Sequence, residues 1–354
     1  MRISLLLLTL LAAGQFAAGQ DCAQKLRLAR ATYEQGRLHE IPNQLEQCLA
    51  SGFTKEEKQL KVEAYKILCL SYIYLEEPEK ADQAMLNLKK ADPYFEPNPQ
   101  IDPAEFIALF NTFRKDPIYR IGLRVGGNFS RPHVIEQISA VNLAPDSKYK
   151  SSFALQLGAG VDVPFSKRLT LHGELLYVQH RFQVTQNVER ATTTTDPLLN
   201  TFVGAETQNW ISLPLGAEYN FLNLNSKIHQ KIRPYVTGGV SVDYLLSATM
   251  TAERQRQDAA SIPESSVELT REKINLSAYA GAGMKMRIAS GVFVAEVRYL
   301  QGFTNLTSDE SAFENQKLLW DYGYADPIFK LNSFSLSISY MQDIFKPKKL
   351  IRKK

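Results

Sequence analysis

Five histidines, three cysteines and a series of charged residues at alternating positions are the groups in this chain that could do chemistry. The histidines are His39, His133, His172, His180 and His229. No two stand three or four residues apart, the spacing that sets two metal ligands on one face of a helix. His172 and Glu174 share a parity, so an extended strand would project an imidazole and a carboxylate from one face. A working acid–base or metal site needs more convergent groups than that pair. His133 and His180 stand apart from any serine that could be placed beside them. No Gly-x-Ser-x-Gly, phosphate loop or dinucleotide fingerprint occurs, and Gly281-Ala282-Gly283 has no helix after it. The residues therefore predict no catalytic group, no cofactor and no metal, and a chain that is not an enzyme.

The remaining charges show what positions them. From Ile118 onward the pattern has a period of two. Arg120 and Arg124 alternate with Ile121, Leu123 and Val125. His172 and Glu174 alternate with Leu171 and Leu175. Glu218 shares a face with Ser212 and Gly216; Arg233 shares one with Asp243, Lys285 with Arg287, and Glu296 with Arg298. Near the C-terminus, Phe334, Leu336, Ile338 and Tyr340 alternate with four serines, a ladder that would suit a membrane-insertion signal. Strands are expected over 118–130, 149–165, 168–186, 207–222, 231–252, 268–289, 291–305 and 330–345.

The links between them alternate in length. Long ones fall at 131–148, 187–206, 253–267 and 306–329, and short ones at 166–167, 223–230 and 290–291. Such asymmetry belongs to a membrane β-barrel with short turns on one side and long loops on the other. The strands exceed the usual five or six residues of a globular strand. Tyr177, Trp210, Tyr219, Phe221, Tyr244, Tyr299, Phe303 and Phe345 lie toward strand ends, as aromatic girdles require. An eight-stranded barrel is just wide enough to be filled by its own side chains. Arg120, Arg124, His172, Glu174, Glu218, Arg233, Asp243, Lys285, Arg287, Glu296 and Arg298 are then expected to face inward and pair, because unpaired buried charge is costly.

The N-terminal part has a different period. Residues 1–19 read as a signal peptide, with Arg2 as the positive region, an apolar run from Leu5 to Ala13 and small residues at 17 and 19. Leu26, Ala29 and Tyr33 mark one helix and Ile41, Leu45 and Cys48 a second, joined by a short link that makes them antiparallel. That brings Cys22 close to Cys48 in an oxidising compartment, so a bridge between them is expected, with Cys69 free and buried. Tyr65, Leu68, Cys69, Tyr72, Ala81, Met85, Leu88 and Pro93 follow the spacing of a tetratricopeptide repeat, whose two helices cross at small residues. The expected organisation is a helical domain over 20–92, a proline-rich connector with a capping helix over 93–117, the barrel over 118–345, and a basic tail over 346–354. Arg2 and the six cations of the tail carry more charge than the net +4 of the chain, which leaves the rest at −3. The folded part therefore lacks the basic balance of a nucleic-acid binder. Lipid head groups or an acidic partner are the expected contacts of the tail.

Three segments carry a family resemblance: Ile118-Tyr-Arg-Ile-Gly-Leu-Arg-Val-Gly-Gly-Asn, Trp210-Ile-Ser-Leu-Pro-Leu-Gly-Ala-Glu-Tyr-Asn-Phe, and Arg233-Pro-Tyr-Val-Thr-Gly-Gly-Val-Ser. They are similar to the opening, fourth and fifth strands of the PorT-like outer-membrane barrel proteins of Bacteroidetes. The resemblance implies an eight-stranded antiparallel barrel over 118–345 in the outer membrane, and one member of that family is associated with type IX secretion. With the helical domain and the tail placed in the periplasm, the expected task is binding a periplasmic or outer-membrane protein partner while the barrel anchors in lipid. A small pore or transporter accessory is the alternative.

Overall fold

The computed structural model describes residues 22–51, 58–138, 147–189, 199–221, 232–255, 262–288, 291–308 and 311–350. The expected signal peptide lies outside them. The chain forms two compact units, one of residues 1–117 with 345–354 and one of residues 118–344.

The first unit is helical: α1 over 22–34, α2 (Ile41–Ser51), α3 (Lys58–Tyr74), α4 (Pro78–Ala91) and α5 (Ala104–Asn111). Gly36, at a φ of +75°, turns the chain between α1 and α2, a conformation that glycine takes without strain. Leu26, Ala29, Ile41 and Leu45 then bury together with Ala64 and Ile67. A disulfide joins Cys22 to Cys48, with Cα atoms 5.3 Å apart. The α3–α4 pair crosses at small residues, where the Cys69 thiol donates to the Ala81 carbonyl at 3.6 Å. Cys69, Met85, Leu88, Phe106 and Phe110 form one core, against which Tyr65, Leu68 and Tyr72 pack half-buried. Helix α4 ends at Ala91, two residues before Pro93.

Residues 345–350 belong to this unit and not to a separate tail that starts at 346. The Arg114 amide donates to the Lys348 carbonyl at 3.0 Å, and the Leu350 amide to the Thr112 carbonyl at 2.7 Å. Phe113 and Lys349 form an antiparallel bridge, and the Lys349 ammonium pairs with Asp82. Phe345 sets its ring edge-on to Tyr94 at 4.9 Å, so it is no part of an aromatic girdle.

The second unit is a closed antiparallel sheet. Its strands are β1 (Tyr119–Glu136), β2 (Ser147–Pro164), β3 (Leu169–Glu189), β4 (Leu199–Asn220), β5 (Ile232–Gln255), β6 (Ile262–Glu268), β7 (Ile274–Ile288), β8 (Gly291–Gly302) and β9 (Ile328–Ile344). Strands β1 and β9 pair along their length, and β4 pairs with β5, so the ring closes. Eight strands make the ring. β6 is an addition: the loop-side part of β5 pairs with β6, and the rest of β5 with β7. The expected loop 253–267 therefore contains a strand, and the expected strand 268–289 is interrupted at 269–273.

Alternation along the strands sorts the side chains. Outward lie Ile121, Leu123 and Val125 on β1, Leu155, Leu157, Val161 and Val163 on β2, and Leu336 and Ile338 on β9, all exposed. Such an apolar outer band needs lipid, since in water it would leave a very large apolar surface bare. Toward the loop end the chemistry of the two faces exchanges while the parity holds. On β3, Leu171 and Leu175 face out and His172 and Glu174 face in; further along, Arg181 and Gln183 face out and Phe182 and Val184 face in. The strands thus run past the lipid band and build a second, water-facing storey with an apolar interior.

Trp210 belongs to that interior. It is 1% exposed and donates its indole N–H to Gln208 Oε1 at 3.0 Å, which removes it from the expected girdle. Tyr219, Phe221, Tyr244, Tyr299 and Phe303 do face outward and are exposed.

Burial, with the nearby Asp82 carboxylate, pushes the Cys69 thiol up to about 12. The thiolate is the reactive form, so Cys69 is expected to resist alkylation in the folded protein. Mature, non-reduced protein should take up one label, and only after unfolding. Three labels without reductant would contradict the bridge.

Candidate functional site: the barrel lumen

At the level of the lipid band the interior is charged. Arg120 Nε donates to Asp343 at 2.6 Å. Arg298 grips Glu174 with two parallel bonds of 2.8 and 2.7 Å and also pairs with Glu296. Arg124 reaches Glu296 at 2.6 Å and Glu174 at 2.9 Å. Two guanidinium groups and two carboxylates thus form a closed quartet. The Tyr235 hydroxyl donates to the remaining oxygen of Glu296 at 2.5 Å. The Lys285 ammonium pairs with Glu218 and lies 3.8 Å from Asp162.

Asp243 is satisfied without a cation. It accepts from Ser241 at 2.6 Å, Asn275 at 3.0 Å and Ser277 at 3.2 Å. His172 pairs with the Tyr279 hydroxyl at 2.5 Å, and Glu174 with arginines, so the two do not form an acid–base couple. The Tyr279 hydroxyl fits because Gly216 and Gly239 face each other across β4 and β5; a Cβ on either would collide with it. Arg233 is half-buried and Arg287 exposed at the short-turn end, so neither is sealed into the quartet.

A second ionic group sits at the loop end. Arg271 precedes β7, yet its guanidinium is buried and doubly bonded to two carboxylates, Glu206 at 3.0 and 2.9 Å and Asp326 at 3.0 and 2.9 Å. It joins β4, the β6–β7 link and the long 303–327 segment. Around it, Phe182, Phe202, Met250, Leu306, Tyr322 and Phe329 form an apolar core. The 303–327 segment folds inward through a single π turn at Leu318–Tyr322, closed by Gly323 at a φ of +68°.

The charge pattern of the sequence does not single out Asp162, Asp343 or the Arg271 triad. For Asp162 and Asp343 the signal was present, because each shares the parity of inward neighbours: Asp162 sits between outward Val161 and Val163. The Arg271 triad had no local signal, since its members come from β4, the β6–β7 link and the 303–327 segment, far apart in the chain.

Ser130 and His180 form a pair that sequence spacing hid. Ser130 Oγ lies 2.6 Å from His180 Nδ1, and Asn128 Oδ1 lies 3.3 Å from the same nitrogen. A nucleophile–base–orienter relay uses both ring nitrogens, one toward each partner. Here both partners crowd one nitrogen, and Ser130 is fully buried. The arrangement is suited to holding β1 against β3. Among the described residues no group of three metal-ligating side chains converges.

The cavity lined by Arg124, Asp162, Glu174 and Glu218 measures about 10 Å³, room for about one water. The outer membrane protein beta-barrel domain model matches residues 116–308. The chain belongs to that family, and it is a barrel of the outer membrane. No curated protein matches it. Solved barrels similar to it include Neisserial surface protein A, at 9% identity over 63% of this chain and 97% of that one, with a TM-score of 0.28. Ail of Yersinia pestis is 13% identical over 64% of this chain and 99% of that one, with a TM-score of 0.28. OprG of Pseudomonas aeruginosa is 11% identical over 64% and 95%, with a TM-score of 0.32.

Breaking the quartet has a signed outcome. Arg298→Met leaves two carboxylates sharing one arginine in a dry interior, at a cost of about 3–5 kcal/mol. Adding Glu174→Gln returns the group to one arginine and one carboxylate and should recover part of that loss. Urea unfolding from lipid vesicles reads both. A single variant as stable as the parent would mean that the quartet does not hold the wall.

Proposed function

We propose that this outer-membrane barrel is an anchor and that its helical unit binds a protein partner in the periplasm. The filled lumen carries the reading. Ion pairs occupy the lumen at the lipid level and an apolar core fills it at the loop end, and the cavity between Arg124 and Glu218 measures about 10 Å³, which supports a plugged barrel over a solute path. That is the observation against the alternative of a small pore or transporter accessory.

Connectivity supports the orientation. Both junctions with the helical unit, at residues 117–118 and 344–345, fall at the end with short turns. In this family of folds that end faces the periplasm and the long loops face outward. The helical unit would then lie in the periplasm, tied to the barrel at both chain ends, with residues 348–350 paired to 112–114. The α3–α4 pair, with Cys69 against Ala81 at its crossing, supports the tetratricopeptide reading, and stacked repeats of that kind present a concave groove for helices or extended peptides. The PorT-like resemblance of the barrel strands points the task toward secretion or envelope assembly.

The test separates the two units. A variant lacking residues 22–115 and 346–354, with the signal peptide kept, should still insert and migrate as a folded barrel. Chemical cross-linking in native outer membranes, followed by purification, should then recover the partner with the full chain and lose it with the variant. Recovery of the same partner by the barrel alone would move the binding surface to the barrel and end the assembly role of the helical unit.

A further inference from the structure

The outer wall carries a boundary whose chemistry is different on its two sides. Phe153, Phe129, Phe334 and Tyr299 are successive register partners across β2, β1, β9 and β8. Each faces outward and is about half exposed, so together they form one aromatic row at the loop-side edge of the lipid band. One step further along the strands the outward residues become cationic. β1 places Arg131 there, β9 Lys330, β2 Lys150 and β3 Arg181. His133 and Lys330 are direct register partners, and Arg181 pairs with Ser152 of β2. Along β1 the first outward acid is Glu136, beyond them all.

Height decides what meets these cations. Two residues of strand advance about 7 Å, and four about 14 Å, or about 5 and 10 Å along the membrane normal once the strand tilt is included. The head-group layer is about 5–8 Å deep on each side of the hydrocarbon. Arg131, two residues past Phe129, therefore lies at the depth of lipid phosphates. Arg181 stands level with Ser152, one residue before Phe153 on β2 and so one residue past it toward the loop end. Lys330, four residues from Phe334, is brought back toward that depth only by its long flexible stem.

The opposite wall carries more acid. The row that starts at Arg181 continues through Thr207 and Thr249 to Glu268, and Glu264 of β6 and Glu272 before β7 are also exposed, with Lys273 as an exposed cation among them. Glu272 and Lys330 line one pocket, which marks the edge of the cationic wall.

We propose that the wall formed by β9, β1, β2 and β3 binds the phosphate-bearing head groups of anionic lipids in the leaflet at the loop end. The occupant is membrane lipid and not a soluble anion, because the cations continue directly from a row of aromatics that already sits at the lipid interface. Arginine offers paired donors to phosphate oxygens, and cations near an anionic surface each strengthen attachment by about fivefold.

Native mass spectrometry of the mature chain in detergent, with phosphatidic acid or phosphatidylcholine of the same acyl chains as probe, tests this. The parent protein should retain phosphatidic acid in preference, and the preference should fall with added salt. Equal retention of the two lipids by the parent overturns the proposal without any variant. Arg131→Ser, Arg181→Ser and Lys330→Ser combined should weaken retention by about tenfold or more. The exchanges Arg131→Lys, Arg181→Lys and Lys330→Arg should keep it, as should removal of three cations of the helical unit, Arg27, Lys61 and Lys90. Undiminished retention by the serine variant overturns the proposal. Displacement of phosphatidic acid by an excess of inorganic phosphate would show a site for the soluble anion, and would equally overturn it.

Discussion

The narrow, dry interior of an eight-stranded ring is the constraint on which the rest of this structure depends. Lipid demands that the outward set of each strand be apolar, and strict alternation sends the other set into a space with almost no water. Every charge there needs a partner at hand. Arg124, Arg298, Glu174 and Glu296 answer this as a neutral quartet, Arg120 and Asp343 as a pair. Asp243 does so with three neutral donors. The ion pairs link strands distant in sequence: Arg124 of β1 reaches β3 and β8 at once. Such bonds across the lumen hold the ring closed from inside, where the ladder of backbone hydrogen bonds holds it along the wall.

The same alternation produces the second storey. Beyond the lipid band the outward set meets water and the inward set turns apolar, so a membrane barrel continues as a small soluble one. Its core, with Phe182, Trp210, Met250 and Tyr322, is closed by the 303–327 segment, and Arg271 fastens that segment to β4 through Glu206 and Asp326. The lumen is therefore filled twice, by charge at the lipid level and by apolar packing at the loop end. Both fillings favour a rigid wall. The helical unit depends on neither; it has its own disulfide and its own cores.

The fold was largely legible because alternation is a property of short windows. The eight ring strands, the charged parity of Arg120, Arg124, Glu174, Glu218, Lys285, Glu296 and Arg298, and the crossing at Cys69 and Ala81 could all be read locally. Trp210 shows how a local reading fails when it is not carried through. It shares the parity of Ser212 and Glu218, which were placed inward, yet its nearness to a strand end suggested a girdle. The β6 strand and the interruption at 269–273 were hidden because β5 changes partner midway, which no periodicity records. The Arg271 triad and the Ser130–His180 contact were hidden for a simpler reason. Their members meet only after the ring has closed and the 303–327 segment has folded into it. The C-terminal cations read as a free tail because nothing in a basic run announces that its backbone will pair with residues 112–114.

A lumen filled by charge and by apolar packing is sealed to ions. Conductance of the mature chain in a planar lipid bilayer tests it most directly. With the quartet and the loop-end core in place, inserted protein should carry no steady ion current above the bare membrane. Stable, ohmic current steps that scale with the amount of inserted protein would contradict the account.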